Sequence, residues 1–279
     1  MDLPRLLNWL VVAAYFVGTS LTLSGVIARR ERLTSAGNWC AVAGFALHSL
    51  VLILLLSGGA TAALSQSNFY FRLFAWFLIL IYFLVWWRLR LSFLALTAAP
   101  LALILFIASF AFTGTVLLPK KLYGLFFSLH IGSLFLSLAL LAMAFGAGLA
   151  FLYMEKKIKG KERLKALDRD LPSLSAFDRA NAIAVALGFP LYTLGLVTGF
   201  IWAPSAWNQT FTWDPKEIVA LAIWFPFAFL FHQRLAFGWR GRKPAVLAIW
   251  VFVLCIVSMV VVNFLVPSHH SFIQPPQPD

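Results

Sequence analysis

Hydrophobic residues along the chain gather into eight long, nearly unbroken runs with short polar breaks between them. The runs lack the period-two alternation of membrane-spanning β-strands. Their length suits helices, which need about 20 apolar residues to cross the hydrocarbon core. The pattern predicts an all-α integral membrane protein with eight spans: Leu6–Ile27, Trp39–Leu56, Phe69–Trp87, Leu91–Phe112, Leu122–Met154, Ala180–Trp202, Glu217–Leu235 and Ala245–Val266. The fifth is longer than a bilayer requires, so part of it should tilt or project. The first run is too long for a signal peptide and ends in Arg29-Arg30-Glu31-Arg32, so it is read as a retained span. Pro190 and Pro226 fall inside the sixth and seventh spans, where proline removes a backbone donor.

The break between the sixth and seventh spans is unlike the others. Residues Trp202 to Glu217 place Trp202, Trp207, Phe211 and Trp213 in one short connection, predicted to be non-helical. Thr198 and Gly199 lead into it, and no aliphatic side chain intervenes between Trp207 and Glu217. Its last four residues, Asp214-Pro215-Lys216-Glu217, read as a helix start. Asp214 is a good N-cap, proline suits the first helical position, and Glu217 completes a capping box. Trp39, Trp76, Trp86 and Trp87 fit the ordinary anchoring belt of membrane interfaces. Such a belt does not call for four clustered aromatics.

Composition strengthens the membrane reading. The 279 residues are 62% hydrophobic and 11% charged, with mean hydropathy +0.88, whereas a soluble domain carries about 25% charged residues. A net charge of +12 raises nucleic-acid binding, but the basic residues lie in short loops between spans, so no nucleic-acid partner is expected. Of the 22 Lys and Arg residues, 17 fall on one side of the predicted spans and five (Arg5, Arg72, Lys120, Lys121 and Lys216) on the other. The positive-inside bias makes the richer side cytoplasmic and places both termini and the tryptophan segment outside. Residues 155–179 form the one sizeable soluble piece, read as a surface helix among anionic headgroups. Cys40 and Cys255 sit in apolar runs without a CxxC pair, so thiol–disulfide chemistry belongs to separate proteins.

All five histidines lie in spans or at their ends. His48 is nine residues into its predicted span, about 13 Å deep at 1.5 Å per residue. That depth puts it at a low level with His232, while His130 and the pair His269-His270 lie high, beside the tryptophan segment. A lone membrane histidine commonly just bonds a neighbouring helix, for about 0.6 kcal/mol. Two pairs at matching depths, the upper one flanking aromatics, suit bis-imidazole ligation of a flat apolar cofactor such as haem.

These residues resemble a known family. Thr198-Gly-Phe-Ile-Trp-Ala203 followed by Trp207 and Trp213-Asp-Pro-Lys-Glu217 is similar to the tryptophan-rich WWD signature of haem-handling proteins of cytochrome c assembly. The CcsA (ResC-type) branch is favoured by Phe231-His-Gln-Arg234, Gly238-Trp-Arg-Gly-Arg-Lys243 and Val262 to Phe272. Asn208 and Phe211 depart from the usual glycine and tryptophan, and the loop after Ser67-Asn68 lacks an expected acid.

The resemblance implies a multi-pass protein of the bacterial cytoplasmic membrane, with the plastid thylakoid membrane as the alternative, that binds haem b and presents it to apocytochrome c for attachment at a Cys-x-x-Cys-His segment. Implied partners are a CcsB/ResB-type membrane subunit, apocytochrome c and thiol-reducing proteins. His130 and His270 are implied as external ligands of the haem iron, with Trp202, Trp207, Phe211, Trp213 and Asp214 around the porphyrin. His232 matches an intramembrane ligand, opposed either by His48 or by a histidine of the partner. Lys216, Arg72, Lys120 and Lys121 are the external cations available to the propionates, and Arg234 the cation at the low site. Two other readings are a HemX-like regulator of haem metabolism, which generally lacks the full tryptophan signature, and a small-molecule transporter. The latter predicts intramembrane acids or inverted repeats, and neither is visible.

Overall fold

A computed structural model describes residues 3–28, 30–114, 125–161, 172–207 and 209–265. Regular structure among them is helical: α1 (Leu3–Ala28), α2 (Glu31–Ser57), the short α3 (Ala60–Leu64), α4 (Ser67–Leu89), a 3-10 turn (Ser92–Leu94) leading into α5 (Ala95–Ala111), α6 (Leu125–Lys159), α7 (Leu174–Trp207), α8 (Pro215–Leu235) and α9 (Arg242–Leu265). Eight of the described helices are long and apolar enough to cross a membrane, matching the eight expected spans.

Helix boundaries shift where polar residues are buried against a neighbour. Helix α2 starts at Glu31, eight residues before the expected Trp39, because Gly37 and Asn38 are buried. The Asn38 side chain accepts a hydrogen bond from the Tyr82 hydroxyl at 2.9 Å. Helix α7 begins at Leu174 and runs to Trp207, so Trp202 to Trp207 are helical rather than part of an irregular connection. Pro204 lies three residues from the end, where its missing donor costs a single terminal bond. Buried Trp202 holds this last stretch against Phe69, Tyr70 and Phe127.

Helices in lipid associate through close packing and interhelical hydrogen bonds rather than through hydrophobic burial. Along the α1–α2 seam, a Cβ on Gly37 would lie 2.3 Å from Thr22 Oγ1 and 2.8 Å from the Gly18 carbonyl oxygen. Gly44 leaves room for the Tyr15 ring, which a Cβ would approach to 2.8 Å. The α6–α7 seam is tied by Ser137 Oγ donating to the Gly188 carbonyl at 2.7 Å and Asn181 Nδ2 donating to Ala144 O at 2.9 Å. Helix α4 joins the N-terminal helices to α6, with Phe74 stacked on Phe135 at 5.2 Å.

The two ends of the bundle differ in chemistry. At the end carrying the tryptophans, Leu52, Ala63, Phe69, Tyr70, Phe127 and Trp202 form one buried cluster. Ser67 there donates from both N–H and hydroxyl to the Gly114 carbonyl. At the opposite end Arg234 binds Asp178 at 2.9 Å and Asn181 Oδ1 at 2.6 Å, while Asp178 also accepts the Gly241 N–H at 2.8 Å. This largely buried pair fixes α8 and the α8–α9 turn onto α7. Replacing Asp178 by alanine leaves a buried guanidinium uncompensated and should cost about 3–5 kcal/mol. Thermal unfolding in detergent should show the loss, and adding Arg234→Leu should recover much of it.

Candidate functional site

His130 lies in the second turn of α6, facing the last turns of α7. Its Nδ1 is 2.6 Å from the Gly195 carbonyl oxygen. A carbonyl only accepts, so Nδ1 carries the proton and Nε2 bears the lone pair. A backbone carbonyl on one imidazole nitrogen is the usual arrangement that orients a histidine for a metal at the other. The bare backbone at Gly199 makes this approach possible. A Cβ on Gly199 would stand 2.6 Å from Nδ1 and 2.7 Å from Cε1 of the ring. Thr198 donates its hydroxyl to the carbonyls of Leu194 and Gly195, at 2.7 and 3.1 Å. Trp202, one turn on, stacks beside His130 with ring centres 6.4 Å apart and planes 25° apart. The Trp202 indole is buried, and its Nε1 has no hydrogen-bond partner among the described residues.

Past α7 the chain turns back through Phe211 and Trp213. Phe211 packs on Phe200 of α7 at 6.0 Å and meets Trp213 edge-on at 5.0 Å. Trp213 is 76% exposed and has φ 59°, in the left-handed region. That conformation costs a bulky residue about 1–3 kcal/mol and persists only where its surroundings impose it. The expected capping box is present: Asp214 accepts the Lys216 N–H at 2.8 Å, and Glu217 accepts the Asp214 N–H at 3.3 Å. Glu217 also reaches beyond the cap, accepting the Thr212 N–H at 2.8 Å and its hydroxyl at 3.0 Å.

The aromatic set is therefore divided. Trp202 belongs to the buried wall beside His130, whereas Phe211 and Trp213 form an outlying pair. Asp214 is 3% exposed, with its carboxylate engaged in capping. The side chain of Trp207 and all of His269, His270, Lys120 and Lys121 lie outside the described residues.

The lower histidines take different places along their helices. His48 stands nine residues from the Ser57 end of α2, about 14 Å from it. His232 stands 17 residues from the Pro215 end of α8, about 26 Å. Their surroundings differ as well. His48 is fully buried, its Nδ1 3.0 Å from the Tyr15 hydroxyl and its ring 4.7 Å from Phe106. The Arg72 backbone lies near, but Nε2 has no partner of hydrogen-bonding geometry among the described residues. His232 is exposed, aligned with Ile218, Ala222, Phe225 and Phe229 on the outer stripe of α8.

Two cations also take other roles than expected. Arg72 is buried, donating from Nε to Ser109 Oγ at 3.2 Å and lying over the Phe106 and Phe110 rings, so it points into the N-terminal helices. Arg234 is committed to Asp178 and Asn181. The sequence reading missed the glycine notch for His130, although Gly195-x-x-x-Gly199 shows the spacing of one helix face. It also missed the reach of Glu217 to Thr212, which a capping box alone does not imply.

Over 116 residues the chain is 40% identical to the cytochrome c biogenesis protein CcsA of Rippkaea orientalis, covering 39% of this chain and 34% of that protein. It is 39% identical over 130 residues to the CcsA protein of Gloeothece citriformis, covering 42% of this chain and 40% of the relative. It is 46% identical over 95 residues to that of Gloeobacter violaceus, covering 34% and 28%. These matches span well under half the length of the curated relatives. The family described as Cytochrome C assembly protein matches residues 64–270, and the chain belongs to that family.

Proposed function

We propose that the chain binds haem b and presents it to apocytochrome c for covalent attachment, working with a CcsB/ResB-type membrane subunit. The observation that carries this reading is the His130 imidazole, with Nδ1–H held by Gly195 and a tryptophan ring alongside. That arrangement readies Nε2 for an axial position on iron. His270, five residues past the end of α9, is the proposed opposing ligand. The side carrying fewer basic residues is proposed as external, which puts His130 and the tryptophans where secreted apocytochromes fold.

Haem is the cargo, and it supplies two vinyl groups. In each attachment a cysteine S–H adds across a vinyl C=C, so that a C–S bond forms and the thiol hydrogen passes to the other vinyl carbon. The step is redox-neutral, provided the cysteines arrive as thiols from a separate thiol-reducing protein. The chain's own residues hold and orient the ring, and such positioning can supply a large part of the rate. Lys216, in the first turn of α8, is the proposed partner of a propionate.

His232 is proposed as the intramembrane ligand, with its opposing imidazole from the partner subunit. Its exposure on the outer stripe of α8 supports this, because an imidazole facing bare lipid is costly. His48, the other candidate, is enclosed by Tyr15 and Phe106, and haem could reach it only if the N-terminal helices parted. Co-expression with the partner subunit and a reporter c-type cytochrome tests the scheme. His232→Ala should lower haem bound in the membrane and reporter maturation together, while His48→Ala should leave haem content unchanged. Unchanged haem in His232→Ala would remove that ligand from the scheme.

A further inference from the structure

We propose that Glu217 is a positioning residue, whose carboxylate holds Trp213 in its left-handed conformation and so presents the exposed indole as one wall of the haem site. The wall role rests on the haem reading above. Capping the helix requires only the bond from the Asp214 N–H, which is the longest of the three that Glu217 accepts. The two shorter bonds come from Thr212, outside the helix. One carboxylate therefore grips the residues immediately before and after Trp213, and the backbone between them closes into a tight bend at φ 59°. A turn with a purely structural purpose would favour glycine at that angle. An interfacial anchor needs no such backbone: Trp87 is 68% exposed within an ordinary helix. A costly conformation that fixes a ring outward, edge-on to Phe211, fits a ring that must meet a flat ligand at a set angle.

The test uses the full-length protein in detergent, labelled with 5-fluorotryptophan, with the Trp213 fluorine line assigned by its absence in Trp213→Gly. Glu217→Ala should shift the Trp213 line in the absence of haem and weaken binding of added hemin about tenfold. Glu217→Gln should match the unmodified protein in both readouts, because the amide oxygen accepts the same N–H groups and the Thr212 hydroxyl can accept from its NH2. In the Trp213→Gly background, Glu217→Ala should weaken hemin binding no further. A Trp213 line unmoved by Glu217→Ala overturns the proposal, as does an equal loss of affinity in both backgrounds. Full hemin affinity in Trp213→Gly overturns the wall role. Absence of hemin binding by the unmodified protein overturns the haem reading and the wall role with it, whereas the fluorine shift alone reports whether Glu217 holds Trp213.

Discussion

His130→Ala is expected to abolish c-type cytochrome maturation while leaving a folded protein in the membrane. The substitution removes both the hydrogen bond to Gly195 and the proposed iron ligand. Losing only the outer partner of a metal-bound histidine costs about 10- to 100-fold in affinity, and losing the ligand itself should cost more. The space vacated lies between the bare Gly199 backbone and the Trp202 ring. Added imidazole can enter it, and partial recovery of maturation with millimolar imidazole should separate a missing ligand from misfolding. Maturation at normal levels in His130→Ala would remove this residue from the site.

Gly199→Ala should come close to the same phenotype although it deletes nothing. The new methyl carbon would stand 2.6 Å from Nδ1, well inside contact distance, and it belongs to a helix backbone that cannot retreat. The imidazole has to rotate away, breaking its bond to Gly195 and swinging Nε2 off its line. Haem bound at this site should fall about tenfold or more, with little change in helix content by circular dichroism. Gly132→Ala is the matched control on α6, since a Cβ there meets nothing within 4 Å and should leave haem unchanged. Equal behaviour of the two variants would mean that the glycine notch does not set the histidine.

The fold was readable in the sequence where one-dimensional hydropathy is the governing quantity. Eight spans and the Asp214–Glu217 cap followed from local pattern and local chemistry, and both are present. The errors share one cause. Hydropathy treats polar residues as helix ends, yet Asn38 and Asp178 are polar because they bond across helix seams, so α2 and α7 begin earlier than expected. Arg72 and Arg234 could be counted in the sequence, but their partners Ser109 and Asp178 lie 37 and 56 positions away and carry no local signal. His130 was legible as a candidate from its place near the tryptophans. Its fixed tautomer was not, because that depends on a carbonyl 65 residues further along the chain.

The most direct test is the optical and low-temperature paramagnetic spectrum of the full-length chain purified with its partner subunit from cells with ample iron. A site with His130 and His270 on the iron should give roughly stoichiometric haem with sharp reduced α and β bands and a low-spin bis-imidazole signal, diminished in both His130→Ala and His270→Ala. A colourless preparation, or haem whose spectrum is indifferent to both substitutions, would contradict that ligation.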